Sequence, residues 1–213
     1  MAVVSFFERY GDHLLRAIFV HLQYVFVSVS VGFVIAFLTA IILSRFPRFS
    51  NTVIPLLGIF QTVPGLVFIG ILFIYLGLKP ITVIIALSIY AIFPILKNTY
   101  TGIITVDKGL IEAALGCGMN SRQILCKVEI PNAMRSIFSG LRMSTIYTVS
   151  WAVLAAMIGL GGLGEFIYRG IETNNHTLII GGAIPAALLA MALGFLIDSM
   201  ESIMTPRGLK GGR

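Results

Sequence analysis

Charged side chains are scarce in this sequence. Only 11% of its 213 residues are Asp, Glu, Lys or Arg, whereas 57% are hydrophobic, and the mean hydropathy is +0.97. About a quarter of the residues of a soluble domain are charged, so this composition excludes an ordinary soluble fold. The charges are also segregated, and five windows contain none: 22–44, 49–78, 80–96, 143–164 and 173–197.

Each of these windows is close to the length that crosses a bilayer. A transmembrane helix needs about 20 apolar residues, within roughly 17–25. The shortest window reaches this length if Lys97 extends to the interface or faces protein. The sequence therefore predicts an all-α integral membrane protein, one transmembrane domain over 1–213 with five spans. The predicted spans cover about 20–44, 52–78, 80–103, 134–160 and 176–200.

Groups that bind metals or catalyse reactions are also few. The chain has two cysteines and three histidines, and Cys117 and Cys126 lack the paired spacing of a zinc site. No Ser/His/Asp arrangement or carboxylate pair indicates catalysis, so we expect neither an enzyme nor a metal site. The absence of ionisable groups in mid-membrane disfavours a proton-coupled transporter. Basic residues are scattered at span ends, which disfavours nucleic-acid binding.

The segment before the first span, 1–18, has a helical pattern with two faces. Phe6, Tyr10 and Leu14 recur at helical spacing, and charged residues occupy the opposite side. This pattern predicts an amphipathic helix lying along the membrane surface, with an extension of the first span as the alternative. A cleaved signal peptide is disfavoured, because nothing basic precedes the apolar residues and Glu8 interrupts them.

Lysine and arginine positions predict the orientation, because cytoplasmic loops retain positive charge. With five spans and the N-terminus outside, four basic residues lie outside: Arg9, Arg16, Lys79 and Arg169. Eleven lie inside: Arg45, Arg48, Lys97, Lys108, Arg122, Lys127, Arg135, Arg142, Arg207, Lys210 and Arg213. We therefore expect a multi-pass membrane protein whose C-terminus and whose segment 105–132 are cytoplasmic.

The segment 105–132 is charged and contains two glycines between apolar spans. Asp107 is a candidate N-cap of a first short helix, and Gly116 and Gly118 permit a sharp turn. A second short helix can start at Asn120 or Ser121, and Pro131 is expected to stop it before the next span. The pattern predicts a compact helical loop offered to a cytoplasmic partner, with an ordinary hairpin loop as the alternative.

The residue spacing here resembles the EAA loop of permeases of binding-protein-dependent ABC importers. The pattern of that family is E-A-A-x3-G-x9-I-x-L-P. The matching positions are Glu112, Ala113, Ala114, Gly118, Val128, Ile130 and Pro131. Val128 and Ile130 are conservative departures from the two aliphatic residues of the pattern.

This resemblance implies a coupling helix that seats in a groove of a separate ATP-binding subunit. Small Ala113 and Ala114 would allow close packing there, and Gly118 would let the backbone turn against the partner. Glu112 and Arg122 would supply polar contacts. The implied fold is that of a type I ABC importer permease, in which ATP-driven closure of the partner switches the pathway from outward-facing to inward-facing.

Two further segments extend the resemblance over nearly the whole chain. The segments QTVPG (61–65) and GLGGLGEFI (159–167) are similar to permeases of the osmoprotectant branch, which import glycine betaine, carnitine and choline. Methionine permeases share the glycine-rich segment, so methionine or another amino acid is the alternative cargo. A passive, osmotically gated membrane protein is the alternative from a different class. The glycines lack the Gly-Lys-Ser/Thr of a phosphate loop, so we expect a tight turn or re-entrant segment.

Polar and aromatic residues in or beside the spans are candidates for the translocation pathway. Trp151 lies near the centre of the fourth span rather than at an interface, and methylated ammonium ions are held by aromatic faces. Packing of Trp151 against a neighbouring helix is the alternative. The candidates are Gln61, Tyr90, Asn98, Tyr147 and Trp151.

The expected partners follow from what the chain lacks. It has no nucleotide-binding motif, so ATP and Mg²⁺ are expected in a separate ATP-binding subunit, and no cofactor is expected on this chain. The family resemblance implies a second permease subunit, identical or related, and an extracellular or periplasmic substrate-binding protein. Glu165 and Glu172 are the candidate contacts for that binding protein, with exposed solvated carboxylates as the alternative. Membrane lipid is the remaining partner.

Overall fold

The structure is a computed structural model that describes residues 2–205, and these residues contain helices and no strand. An all-α membrane fold is therefore confirmed. The positive charges predicted at Arg207, Lys210 and Arg213 lie outside the described residues. The α-helices are α1 (Ala2–Arg45), α2 (Pro47–Phe60), α3 (Gly65–Leu76), α4 (Pro80–Ile104), α5 (Lys108–Gly116), α6 (Ser121–Ile124), α7 (Ile130–Ala152), α8 (Gly164–Glu172) and α9 (His176–Met204). A π-helix covers Leu125–Glu129 and a 3₁₀-helix covers Val153–Ile158.

The N-terminal segment differs from the predicted separate surface helix. It runs without a break into the first span, so that α1 is one helix of 44 residues. The apolar face predicted from the sequence is present, but it packs on protein: Phe6 and Leu14 are buried with Phe166 and Leu178 of α8 and α9. The sequence pattern indicates an apolar face but cannot say whether lipid or another helix covers it.

The second predicted span, 52–78, is two helices instead of one. α2 and α3 are bent by 91° at the break between Phe60 and Gly65. Pro64 is the residue before α3 and adopts an extended ψ of 125°. Proline also disfavours helical geometry in the residue before it, Val63. The predicted single span is therefore broken completely before Gly65.

Helix α4 lies at the centre of the bundle, between α1 and α7. Its buried side chains include Val83 and Leu87, which pack with Tyr24 and Val25 of α1. Hydroxyl groups bond across these contacts: Ser28 donates to the carbonyl of Ile84 at 3.2 Å, and Ser144 donates to that of Ala91 at 2.9 Å. Such bonds satisfy polar groups that lipid cannot solvate.

The contacts also define which helix ends lie on the same side of the bundle. Arg45, at the end of α1, binds Glu129, just before α7. Near that end Ile103 of α4 packs with Ile137 of α7 and Phe37 of α1. The segment between α4 and α7 therefore lies on the same side as the C-terminal end of α1, and the start of α4 lies on the other side.

Three helices within residues 2–205 are long and apolar enough to cross a membrane: Phe6–Arg45 within α1, Pro80–Ile104 and His176–Met204. The count is four if the bent pair α2–α3 is one span. Five were predicted. Helix α7 is not among these helices, because the stripe of polar residues along its surface lowers its hydropathy.

Candidate functional site

The segment 105–132 forms a compact helical loop outside the bundle. Asp107 caps α5 by accepting a hydrogen bond of 2.6 Å from the backbone N–H of Gly109, as predicted. Asn120 and Gln123 cap α6 reciprocally, each side chain accepting from the other residue's backbone N–H at 3.0 and 2.9 Å. Such a capping box fixes the start of a helix that is otherwise too short to be stable.

Between α5 and α6 the chain turns at Gly118. Its φ of +76° lies in the left-handed region, which glycine adopts without steric cost. The N–H groups of Gly118 and Met119 donate back to the carbonyls of Leu115 and Ala114 at 2.9 and 3.1 Å, which closes the end of α5. A Cβ at position 118 would meet no atom within 4 Å, so this turn is open to the outside.

The predicted coupling residues divide between an outer and an inner side of the loop. Glu112, Ala113, Gly118 and Arg122 are exposed, whereas Ala114 is buried. The loop therefore presents carboxylate, methyl, glycine backbone and guanidinium groups together on its outer side. A protein partner would find both a close-packing surface and charged contacts there.

The end of the loop differs from the prediction. Pro131 does not stop the second short helix, because the chain passes from α6 through the π-helix directly into α7. Pro131 sits in the first turn of α7, next to Ile130. Proline is tolerated at the start of a helix, where its missing N–H would have had no partner. Both residues are only partly buried.

An ion pair joins this loop to the end of α1. Glu129 is 4% exposed, and its two carboxylate oxygens accept from the two terminal nitrogens of Arg45, one at 3.0 Å from Nη1 and the other from Nη2. Bidentate Arg–carboxylate pairs fix relative orientation as well as distance. The sequence analysis missed this contact, because its partners are 84 residues apart.

Two of the predicted pathway residues, Trp151 and Tyr90, stack on each other. Their ring centroids are 4.6 Å apart and the ring planes differ by 19°. The Tyr90 hydroxyl donates to the Val63 carbonyl at 2.7 Å, and Phe60 and Phe68 pack edge-on to complete the cluster. The structure thus places Trp151 and Tyr90 in protein packing beside the α2–α3 break, and the two phenylalanines were not among the predicted residues.

The other three predicted pathway residues line one cavity of about 500 Å³ between α4, α7 and the α2–α3 break. Gln61 donates to the Tyr90 carbonyl at 3.4 Å, and Asn98 donates to that of Pro94 at 2.8 Å. The rest of the lining was missed by the sequence analysis. Its members are Phe93, Pro94, Lys97, Thr101 and Met143, beside the predicted Gln61, Asn98 and Tyr147.

Lys97 is the notable member of this lining. The sequence analysis included Lys97 in the predicted span 80–103 but gave it no role, and the structure places it within α4, seven residues before its last residue, Ile104. Its ammonium nitrogen lies 5.8 Å from the centroid of the Phe93 ring, and the side chain is exposed to the cavity. The Lys97 ammonium therefore places a positive charge in the lining of this cavity.

The surface of α7 continues the polar character of the cavity. Exposed residues recur at helical spacing along it: Arg135, Ser139, Arg142, Met143, Tyr147 and Ser150. Arg142 forms an ion pair with Asp198 of α9 at 2.9 Å, and both side chains are about half exposed, at 48% and 47%. Charged groups within spanning segments face protein or water rather than lipid.

The exposed face of α1 is of the opposite kind. Between Phe19 and Ile42 most of its exposed side chains are hydrocarbon, among them Phe19, Phe26, Val34, Leu38 and Ile42. The described bundle thus has an apolar face on α1, suited to lipid, and a polar face on α4 and α7, suited to water or a second protein.

The glycine-rich segment forms the predicted tight turn on the opposite side of the bundle from the loop. Gly159, Gly161 and Gly162 have φ values of +74°, +77° and +89°. Two side chains of α1 contact this turn and the end of α7: Tyr24 donates to the Leu160 carbonyl of the turn at 2.9 Å, and the buried His21 ring nitrogen Nε2 lies 3.1 Å from the Val149 carbonyl of α7.

The two carboxylates predicted to contact a binding protein lie at opposite ends of α8. Glu165 is in its first turn, 3.5 Å from His13 of α1, and Glu172 is the exposed last residue. Burial raises the pKa of the Tyr168 phenol on the same helix above its ordinary value. Among the described residues, no group of three or more His, Cys, Asp or Glu is placed to hold a metal ion.

A bundle of apolar helices with one polar face and a capped helical loop on one side is the architecture of a polytopic membrane transport protein. Comparison with known proteins agrees, and the chain belongs to the family described as binding-protein-dependent transport system inner membrane component, which matches residues 29–209.

Two relatives align with the chain almost end to end. The carnitine transport permease protein OpuCB of Listeria monocytogenes is 41% identical over 100% of this chain and 97% of its own length. The choline transport system permease protein OpuBB of Bacillus subtilis is 36% identical over 98% and 96%. The fold is similar to that of a chain of the MetNI methionine ABC transporter in an inward-facing conformation, with a TM-score of 0.81, 24% identity and coverage of 93% and 99%.

Proposed function

We propose that this chain is the membrane-spanning permease subunit of an ATP-driven importer of quaternary-amine osmoprotectants such as glycine betaine, carnitine and choline. The observation that carries this proposal is the end-to-end similarity to permeases whose names specify carnitine and choline transport. The likeness to the methionine transporter is below 25% identity, so it supports the fold and not the cargo. The chain itself is no enzyme, and a partner chain hydrolyses ATP.

The loop of α5 and α6 is the proposed docking site for the ATP-binding subunit. Its exposed Glu112, Ala113, Gly118 and Arg122 are offered to the partner, while Ala114 packs inward. Support for this assignment comes from the open space at Gly118 and from the continuous connection of α6 through the π-helix to α7. Ile130 and Pro131 would transmit the motion of the docked loop into α7.

Five crossings are proposed, with the N-terminus outside and the loop in the cytoplasm. The start of α2 lies next to Arg45 on the side of the loop, and α4 begins at Pro80 on the other side. The bent pair α2–α3 must therefore connect the two sides, which favours a broken span over a re-entrant loop. Helix α7 begins at the loop side, and Val149 near its end packs with Val25 and Val83, which supports a fifth crossing.

The polar face of α4 and α7 is the proposed wall of the translocation pathway. Cargo would pass Gln61, Asn98 and Tyr147, and a second permease subunit, identical or related, would form the opposite wall. Trp151 and Tyr90 would support this wall from behind, since they pack on each other. A substrate-binding protein would dock at the other side of the membrane, near Glu165 and Glu172.

The test is ATP-dependent uptake by proteoliposomes that contain the purified complex with its ATP-binding subunit and binding protein. Labelled glycine betaine, carnitine and choline would be compared with methionine. We expect uptake of quaternary amines, and its loss in Gly118→Asp while the protein still reaches the membrane. Gly11→Asp is the matched control, because position 11 is also open and lies far from the loop.

The alternatives predict different outcomes of the same experiment. Uptake of methionine alone would support an ATP-driven importer and show that its cargo is an amino acid instead of a quaternary amine. A tagged chain that never co-purifies with an ATP-binding subunit, or an intact complex without ATP-dependent uptake, would favour the passive membrane protein.

A further inference from the structure

Lys97 presents an unneutralised charge within the bundle. All nine carboxylate side chains of the protein lie in the described residues, and none of them forms an ion pair with Lys97. Three of them pair with other residues, as His13–Glu165, Arg45–Glu129 and Arg142–Asp198. The Cα of Lys97 is about 10 Å along the helix from the end of α4. A lysine at this depth is costly unless it faces water or has an anionic partner, and ionisable residues inside membranes usually mark functional sites.

The cavity around Lys97 has room and chemistry for such a partner. Its volume of about 500 Å³ is within the range of roughly 300–1,000 Å³ found for small-molecule sites. Asn98, Thr101 and Gln61 add hydrogen-bonding groups to the same lining, and the Tyr147 ring on the facing helix is 42% exposed. The Lys97 ammonium therefore suits a carboxylate, and the Tyr147 ring suits a methylated ammonium.

We propose that this cavity is a transient binding site for zwitterionic cargo, in which Lys97 binds the carboxylate of a betaine or carnitine and Tyr147 faces its quaternary ammonium. The proposal rests on the transport function proposed above and adds a selectivity to it. Choline has the ammonium but no carboxylate, so it lacks the contact with Lys97 and is expected to bind in this cavity more weakly than carnitine. The permease itself then favours zwitterionic over purely cationic quaternary amines, and both remain cargo.

A cysteine-protection assay tests binding at the cavity without depending on delivery by the binding protein. Thr101→Cys is placed in the permease–ATPase complex, with Cys117→Ser and Cys126→Ser to remove the two exposed native thiols. A neutral maleimide then reports access to the cavity in detergent. We expect millimolar carnitine to slow the labelling of the cysteine at position 101, and choline at equal ionic strength to slow it less. Adding Lys97→Gln is expected to abolish the protection.

Several results of this assay would overturn the proposal. These are equal protection by choline, protection that survives Lys97→Gln, and no protection by carnitine at all. Protection by an anionic lipid but not by carnitine would also overturn it, and would make Lys97 a headgroup site instead.

Transport provides the second readout. Lys97→Gln should raise the KM for carnitine uptake about tenfold, as expected from losing one charge-assisted contact, and Lys97→Arg should restore most of the affinity. Lys79→Gln is the matched control, since Lys79 precedes the same helix at its other end and does not line the cavity. An unchanged KM in Lys97→Gln would contradict the proposal. A complete lack of uptake by the unsubstituted complex would instead refute the transport function, while the protection assay would still report on the site.

Discussion

Gly65 is the position where a single methyl group should have the largest effect on packing. A Cβ there would lie 1.5 Å from a ring carbon of Trp151, whereas a Cβ at Gly70 in the same helix would meet no atom within 4 Å. The two glycines of α3 thus differ in one contact. Gly65 allows the Trp151–Tyr90 stack to close against the α2–α3 break.

We expect Gly65→Ala to displace Trp151 and to destabilise the protein by about 1–3 kcal/mol, the usual cost of overpacking a tight site. Trp151 is the only tryptophan of the chain, so its fluorescence reports the displacement directly. Thermal unfolding and emission spectra of the permease in detergent would be recorded for both variants. Gly70→Ala should match the unsubstituted protein, and equal spectra and melting temperatures for all three proteins would contradict this account.

Gly118 and Gly116 form a second matched pair, in the loop. Both are open, but only Gly118 has a positive φ. An alanine at 118 must adopt a left-handed conformation at a cost of about 1–2 kcal/mol, which disfavours the turn that presents the docking surface. Gly118→Ala should therefore reduce co-purification of the ATP-binding subunit and ATP-driven uptake, and Gly116→Ala should leave both intact. Equal effects of the two substitutions would show that backbone conformation is not the cause.

At the scale of single residues, local signals were readable from the sequence and distant contacts were not. Asp107 was predicted to be an N-cap, and the second helix was predicted to start at Asn120 or Ser121, because the bonding partners of Asp107 and Asn120 lie two or three residues away. Glu129 and Lys97 were missed as site residues. Their roles depend on Arg45 in one case and on a cavity built from three elements in the other, and no spacing rule connects such residues.

Among the helices, the connection between α1 and the loop is made by the Arg45–Glu129 pair. Glu129 ends the π-helix, a form found mostly as single turns and often at functional sites. The pair therefore attaches the segment that follows the docking surface to the first helix of the bundle.

Removing one partner of this pair leaves the other charge without compensation. We expect Glu129→Gln to lower stability by about 1–3 kcal/mol and to reduce uptake per ATP hydrolysed. The double variant Arg45→Glu with Glu129→Arg should recover part of both losses. Arg142→Gln is a useful comparison, because it breaks an exposed pair of the same kind between α7 and α9. If the charge exchange recovers nothing, the ion pair is not what couples the two segments.

At the scale of whole helices, the break between α2 and α3 could not be predicted from the sequence pattern alone. The sequence analysis predicted one span over 52–78, whereas the chain is bent by 91° at a break that ends at Pro64, where Phe60, Phe68 and Tyr90 pack together. For α1 the difference has the other sign: a separate N-terminal helix was predicted, and the structure has one continuous helix. Its N-terminal part has the pattern of a surface helix, and only the position of α8 and α9 decides what covers it.

For the whole molecule, the distribution of polar and apolar surface predicts which face meets water. Cysteines introduced at Ser139 or Ser150, on the polar stripe of α7, should react with water-soluble thiol reagents in membranes. Cysteines at Phe26 or Leu38, on the apolar face of α1, should not, because lipid excludes the reagents and the thiolate. The measurement is the labelling rate in a background with Cys117→Ser and Cys126→Ser. Fast labelling on α1 and none on α7 would contradict the proposal and would indicate that α1 faces water and α7 faces lipid.

The length of α1 has a mechanical consequence. Its 44 residues extend about 66 Å, roughly twice the thickness of the hydrocarbon core. Its Arg45 end binds the π-helix beside the proposed docking loop, and Tyr24 donates to the Leu160 carbonyl of the glycine-rich turn on the other side. No helix break lies between these attachments, so α1 acts as a rigid element in contact with both sides of the membrane. A displacement of the loop that carries Arg45 with it also carries the glycine-rich turn, and the two entrances of the pathway cannot move independently.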